Sequence, residues 1–262
     1  MNKRIQDYKV QKRRRTALGQ HFLTDENAKK LLIEAAQIGK NDTVFEIGTG
    51  NGEITSLLSK EASQVITVEI DPHKASGFMR QLNKNNSNIT LLCADAFRIK
   101  PIPMFDHCVT SLPFSRSRDF IEWLAKIPFC FKNAAAILQS DFVSKITAAP
   151  GTKNYRAISV ICQLSFIIER IYRIPRFCFV PPPRVESEIV KLNPNPEFFP
   201  FFTESRIMNL KKIFAFRGRL LRSAVNKNWR AVAGENSLSE TLLNQRIENL
   251  APAEYAKILK VL

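Results

Sequence analysis

Three short stretches of the chain carry residues whose types and order could do chemistry. The first is Glu46-Ile47-Gly48-Thr49-Gly50-Asn51-Gly52. Glycines at alternate positions permit a tight turn whose backbone a ligand can approach closely. If a helix follows, its first N–H groups point toward that ligand. The spacing is GxGxG, and Glu53 stands where the third glycine of a dinucleotide-binding GxGxxG would fall. An anionic side chain beside the turn is a poor neighbour for a pyrophosphate but is compatible with a nucleoside cofactor that has no phosphate. The second stretch ends in Glu69, whose carboxylate could accept both hydroxyls of a ribose; the simpler reading is a solvated acid at a strand end. The third is Cys93-Ala94-Asp95-Ala96, where Asp95 suits either a cofactor's adenine amine or a helix cap. No GxxxxGK[ST] sequence is present, so ATP hydrolysis finds no support. Histidines occur at 21, 73 and 107 only, and none belongs to an acid–base constellation.

Each of these stretches falls where a strand should end. Thr43–Ile47 is the pattern of a buried strand closed by the glycines, and Ile54, Leu57 and Leu58 mark the helix after it. Gln64–Glu69 is a second strand, Pro72–Leu82 a helix with proline in its first turn, Ile89–Ala94 a third strand. Asp106–Thr110 and Ala134–Gln139 give two more, with a helix around Asp119–Lys126 between them. Before all of these, Asp25 suits an N-cap for a helix carrying Ala28, Leu31, Leu32, Ala35 and Ala36 on its apolar face. Strands alternating with helices predict an α/β fold of the Rossmann type with a mostly parallel central sheet. A helix near Ala157–Phe166 follows, then strand-like Ile167–Ile174 and Ser187–Leu192 around an extended Pro181-Pro182-Pro183 loop. Asn193-Pro194-Asn195-Pro196 looks like a linker. The expected organisation is a basic flexible arm over residues 1–16, an α/β domain over 17–195, and a small all-α domain over 196–262.

Composition narrows the partner. Lys and Arg number 39 against 24 Asp and Glu, a net charge of +15, which favours a polyanion: nucleic acid, or less simply an acidic membrane surface. Cysteines at 93, 108, 130, 162 and 178 are odd in number and form no CxxC pair, which argues against a disulfide framework or a zinc site. A reducing compartment, the cytoplasm by default, is expected. No apolar run is long enough to span a membrane, and no metal is expected.

With the fourth strand's continuation, Thr110-Ser111-Leu112-Pro113-Phe114, the sequence resembles the ribosomal RNA adenine dimethyltransferase family over nearly its whole length. Gly19-Gln20-His21-Phe22-Leu23 is similar to the family's N-terminal signature and residues 46–52 to its donor-binding turn. Phe179-Val180-Pro181-Pro182-Pro183-Arg184-Val185-Glu186-Ser187 is similar to its Pro-rich signature. Phe214-Ala215-Phe216-Arg217 through Leu221-Arg222-Ser223-Ala224, and Arg246-Ile247-Glu248-Asn249-Leu250, resemble the small-subunit branch. The resemblance implies S-adenosylmethionine as cofactor, held by Gln20, His21, Leu23, Glu46, Gly48, Gly50, Gly52, Glu69, Ile70, Asp95, Ala96 and Ser111. It implies adenine in small-subunit ribosomal RNA as substrate, methylated on its exocyclic amine in a precursor particle; on oligomeric state the sequence is silent, and a monomer is the default expectation. Ser111, Leu112, Pro113, Phe114 and Phe179 would form the catalytic site. Acceptors such as the Leu112 carbonyl would hold the amine in line with the methyl, and Phe114 and Phe179 could stack on the extracted base; for either ring core packing is the alternative.

One residue departs from the family. It carries Asn, sometimes Asp, where this sequence has Ser111, and a hydroxyl is a shorter acceptor. Three consequences stay open: normal activity with a water or backbone carbonyl substituting, slow or single methylation, or RNA binding without catalysis. The rival functions are a large-subunit methylase giving antibiotic resistance and a non-catalytic assembly factor. For RNA contact the candidates are Arg13, Arg14 and Arg15 in the arm, Arg116 and Arg118 beside Phe114, and Lys211, Lys212, Arg219 and Arg222. The last four lie in a stretch, 206–230, with eight basic and no acidic residues that reads as a basic amphipathic helix, a pattern that an interruption at Gly218 would blur. A merely solvated face is the alternative there.

Overall fold

The computed structural model describes residues 21–81, 87–229 and 238–262. The expectations for the arm, including Arg13, Arg14, Arg15 and Gln20, lie outside the described residues. The chain divides into two compact units. One takes residues up to Ser117 with Phe131–Ser140 and Glu169–Leu192; the other takes Arg118–Cys130, Asp141–Ile168 and Asn193–Leu262. The break after Leu192 lies near the expected linker, but the second unit also takes two stretches from the middle of the chain. A division at a single point does not contain these.

The first unit begins with a short strand, β1 (Phe22–Leu23), and helix α1 (Glu26–Ala36). Asp25 caps that helix, its carboxylate accepting from the Ala28 N–H at 2.7 Å, and Ala28, Leu32, Ala35 and Ala36 are buried as the apolar spacing requires. There follow β2 (Thr43–Ile47), α2 (Glu53–Glu61), β3 (Gln64–Glu69), α3 (Pro72–Gln81), β4 (Ile89–Cys93) and β5 (His107–Thr110). The chain then forms α4 (Ser117–Leu124), returns as β6 (Asn133–Gln139), leaves again through α5 (Ser140–Ile146) and α6 (Ala157–Ser165), and ends the sheet with β7 (Phe166–Ile174) and β9 (Ser187–Pro194), between which β8 (Phe179–Val180) pairs with β1 in a separate two-stranded sheet. Among the described residues the main sheet has seven strands in the order β4-β3-β2-β5-β6-β9-β7. Its first five are parallel, with Val44 opposite Val65 and Phe45 opposite Cys108, and β9 is antiparallel to β6. Parallel strands covered on both faces need near-continuous apolar runs, and Val44, Phe45, Val65, Val68, Cys108 and Val109 are all buried.

The amino ends of the strands are tied by one buried acid. Asp42 accepts from the Gly39 N–H (2.8 Å), from His107 Nε2 (2.9 Å) and from Lys132. The Lys132 bond, aided by His107, holds its carboxyl well below the usual carboxylate range. His107 is thus part of this structural network, far in sequence from the glycine turn. All five cysteines are free thiols.

In the second unit the described part of 196–262 is helical: α7 (Glu204–Phe214), α8 (Leu221–Asn228), α9 (Glu240–Leu243) and α10 (Pro252–Val261), with one isolated bridge between Leu220 and Arg246. Tyr155 joins them because its ring meets Phe214 (centroids 6.0 Å apart) and its hydroxyl donates to the Leu250 carbonyl at 2.9 Å. Phe214 stacks in turn on Tyr255 at 5.3 Å. The basic helical stretch over 206–230 is two helices, interrupted at Gly218. Gly218 adopts φ 89°, which an α-helix excludes, and the Glu248 carboxylate receives its N–H at 2.7 Å.

Candidate functional site

The carboxyl ends of β2, β3, β4 and β5 open into a cleft of about 1010 Å³, solvent at its mouth included. This is where the loops of a parallel sheet converge. Its floor is the glycine turn after β2. Gly48, Gly50 and Gly52 have φ of 90°, 58° and 82°. At Gly52 a Cβ would also lie 2.0 Å from the Phe78 ring, so both conformation and space demand glycine. The three N–H groups are all engaged: Gly48 to the Val68 carbonyl (2.8 Å), Gly50 to Glu69 Oε2 (3.0 Å), Gly52 to the Thr49 carbonyl (2.8 Å). The turn therefore offers no cradle of free glycine N–H groups to a pyrophosphate.

Glu69 is 4% exposed at the end of β3. Its Oε2 takes the Gly50 N–H and its Oε1 takes the Asp71 N–H at 3.0 Å, which fixes the carboxylate while leaving each oxygen a further lone pair. Asp95 plays two parts. It caps the short 3-10 turn Ala96–Arg98, accepting from the Phe97 N–H at 3.1 Å, and it lines the cleft. Arg116 pairs with it at 3.4 Å and lies over the Phe97 ring at 4.8 Å. Ser111 lines the cleft, and its hydroxyl has no hydrogen-bond partner among the described residues. The Pro113 carbonyl is taken by the Arg116 N–H at 2.9 Å.

Glu46 supports the turn from behind. It is 1% exposed, and its Oε2 accepts from the hydroxyls of Thr55 and Thr67, each at 2.6 Å. Burial pushes its pKa up to about 7 against these two bonds, with the Glu69 charge adding to the rise.

β1 and β8 pair antiparallel, Leu23 opposite Phe179 and Phe22 opposite Val180. Two signatures far apart in sequence are thereby joined, and His21 Nδ1 donates to the Pro181 carbonyl at 2.6 Å. His21 stacks on Phe114 at 5.5 Å, and Phe179 meets Phe114 edge-on at 6.3 Å. Phe179 is buried and Phe114 half-buried.

The cleft brings together His21, Leu23, Gly48, Gly50, Glu69 and Ile70 with Asp95, Ala96, Ser111, Leu112 and Pro113. Glu46 and Gly52 lie behind its wall, and Phe114 and Phe179 form the adjoining aromatic cluster. Arg118, Lys211, Lys212, Arg219 and Arg222 are in the second unit. There Lys211 pairs with Glu122 at 2.7 Å, Arg222 with Glu240 at 3.0 Å, and the Lys212 amine lies 5.9 Å from the Trp229 ring centre. Arg219 is exposed. The cleft also exposes residues the sequence reading did not assign: Lys29, Glu53, Lys74 and Phe97. Glu53 was visible as the acid after the turn. Lys29 was not, because it sits beside Ala28 on a face that periodicity marks as core.

The donor set suits a phosphate-free nucleoside: a fixed carboxylate, a second acid, and apolar walls at Ile70 and Phe97. Among the described residues no cluster of His, Cys, Asp or Glu could hold a metal, and no helix is long and apolar enough to cross a membrane.

Comparison with known proteins adds names. The family described as ribosomal RNA adenine dimethylase matches residues 11–262. A probable ribosomal RNA small subunit methyltransferase A of Methanosarcina acetivorans is 31% identical over 93% of this chain and 91% of its own. The ribosomal RNA small subunit methyltransferase A of Thermotoga maritima is 32% identical over 79% and 72%. A solved dimethyladenosine transferase from Plasmodium falciparum superposes with a TM-score of 0.76 at 26% identity, covering 91% of this chain and 96% of that one.

Proposed function

Because the chain belongs to the ribosomal RNA adenine dimethylase family, we propose that it uses S-adenosylmethionine to methylate the exocyclic amine of adenine in small-subunit ribosomal RNA. We place this activity in the cytoplasm, on a precursor particle, with the enzyme acting as a monomer. The observation that carries the reading is the shared cleft: Glu69, Asp95 and the Ser111–Pro113 loop line one cavity.

The residues divide the work. Glu69, fixed by two backbone N–H groups, would accept the ribose hydroxyls, and Asp95 the adenine amine. When bound, S-adenosylmethionine supplies an electrophilic sulfonium methyl, so the protein needs no covalent nucleophile. Its task is the target amine, whose lone pair is delocalised into the base. The Ser111 hydroxyl and the Leu112 carbonyl would accept the amine hydrogens and favour a pyramidal nitrogen. Among the described residues no backbone N–H donates to that carbonyl, while Pro113's is committed to the turn. Phe114 would stack on the extracted base, for roughly 1–3 kcal/mol. Phe179, buried edge-on behind it, would keep that ring in place. The methylated amine can lose its proton to water, so no general base is assigned. Basic residues of the helical unit, with Arg219 exposed, would meet phosphates, and recognition would rest on RNA shape more than on base edges.

Calorimetry with S-adenosylhomocysteine tests the placement. Glu69→Ala is expected to weaken binding about 100-fold, through loss of charge-assisted hydrogen bonds. An unchanged dissociation constant would remove Glu69 from the donor site.

A further inference from the structure

Glu53 is the one acid of the cleft with no role above. It opens α2 directly after the glycine turn, its side chain is half exposed, and among the described residues only its Oε2 is engaged. The partner is Lys29, whose side chain is 5% exposed and whose amine also bonds Glu26 Oε1 at 2.7 Å. Burial works against the charge on Lys29, yet the two carboxylates outweigh it and hold its pKa above the usual lysine value. Glu26, Lys29 and Glu53 therefore carry a net charge of −1. A cluster of that sign, with Glu53 lining the cavity and its second carboxylate oxygen without a partner among the described residues, attracts a cation rather than an anion.

The cleft's own order says which cation. Asp95 and Phe97 follow β4, at the edge of the sheet. Lys29 sits on α1, which packs against β5 and β6, across β3 and β2 from that edge. A nucleoside whose base lies toward Asp95 and whose ribose lies at Glu69 would direct its 5′ substituent toward the glycine turn and Glu53.

We propose that Glu53 is a specificity-determining residue that receives the α-ammonium group of the donor's amino-acid tail, and that Lys29 is the positioning residue that holds it. This rests on the donor-cleft reading of the previous section. The buried lysine fixes one carboxylate oxygen, so the other meets the ammonium without first being immobilised. Glu53 thus selects an adenosyl amino acid over adenosine derivatives that lack the amine.

The test compares two ligands by calorimetry on the full chain: S-adenosylhomocysteine, which carries the ammonium group, and 5′-methylthioadenosine, which lacks the tail. Glu53→Gln is expected to weaken the first about 10-fold and leave the second within twofold. Lys29→Met is expected to weaken the first about fivefold with the same selectivity, and Lys29→Arg to restore it. Equal weakening of both ligands, or of neither, would overturn the proposal while leaving the donor cleft intact. Failure of both ligands to bind the unaltered protein would overturn the donor-cleft reading and this proposal with it.

Discussion

A carboxylate sealed beneath the glycine turn loses hydration that two threonine hydroxyls only partly replace. Among the described residues Glu46 Oε1 is buried with no hydrogen-bond partner, while Oε2 carries both bonds. Its pKa of about 7 against an ordinary 4.5 means that the folded chain holds this proton more tightly than the unfolded chain. The resulting stabilisation is complete below pH 4.5 and is lost as pH rises through 7, an effect of about 3 kcal/mol. Denaturation midpoints between pH 4.5 and 8 should therefore fall with pH in the native chain, and Glu46→Gln should flatten that fall. An equal fall in the variant would mean that another group titrates. Asp42, held low by Lys132 and His107, acts outside this window: it favours the folded state above the ordinary carboxylate value and withdraws that support only as pH falls below it. Ser111 is the other decisive residue. Its hydroxyl lines the cleft with no partner among the described residues, so it can serve as a short acceptor. Replacing it by the longer amide, Ser111→Asn, should leave the methyl-transfer rate unchanged or raise it severalfold, as measured by single-turnover kinetics; a loss of 100-fold or more would show a site built around serine.

Elements make these residues meet. The turn between β2 and α2 admits no side chain at Gly52, where φ is 82° and the Phe78 ring occupies the Cβ position. Gly52→Ala should cost about 3 kcal/mol from overpacking and left-handed strain together, seen as a lower melting temperature. An unchanged melting temperature would mean that α3 shifts freely. The β2–α2 turn, Glu69 at the end of β3 and Asp95 after β4 were legible in the sequence because period and glycine punctuation fix where parallel strands end. The pairing of β1 with β8 was not, since two-residue strands have no period, and only the folded chain brings Leu23 to Phe179. Helix α5 was missed for a related reason: Ser140–Ile146 follows β6 without a break that local pattern could detect. Lys29 was hidden by its neighbours, because a buried lysine is identified by partners on other elements and not by spacing. The split of the 206–230 helix turned on Gly218, whose left-handed backbone is held by Glu248, thirty residues away.

At the scale of the whole molecule, a net charge of +15 coexists with a cleft in which three acids and three basic residues balance. Glu53, Glu69 and Asp95 line the cleft together with Lys29, Lys74 and Arg116, whereas the other basic side chains are spread along the chain, several of them on the helical unit. A cleft free of the chain's positive excess is compatible with a small cationic donor, while the basic remainder suits a large polyanionic substrate. Two of the basic residues of the helical unit, Lys211 and Arg222, are already paired with acids, so phosphate contact would draw on exposed ones such as Arg219 and on exchange of those pairs. The central claim is that this chain methylates adenine in small-subunit RNA, and one measurement addresses it most directly. Unmethylated small-subunit particles are incubated with the protein and isotopically labelled S-adenosylmethionine, and the product nucleosides are resolved by mass. The account predicts labelled N6,N6-dimethyladenosine. Absence of any labelled methyladenosine, with donor and particle both shown to bind, would contradict it and leave a protein that keeps the fold and the RNA without the chemistry.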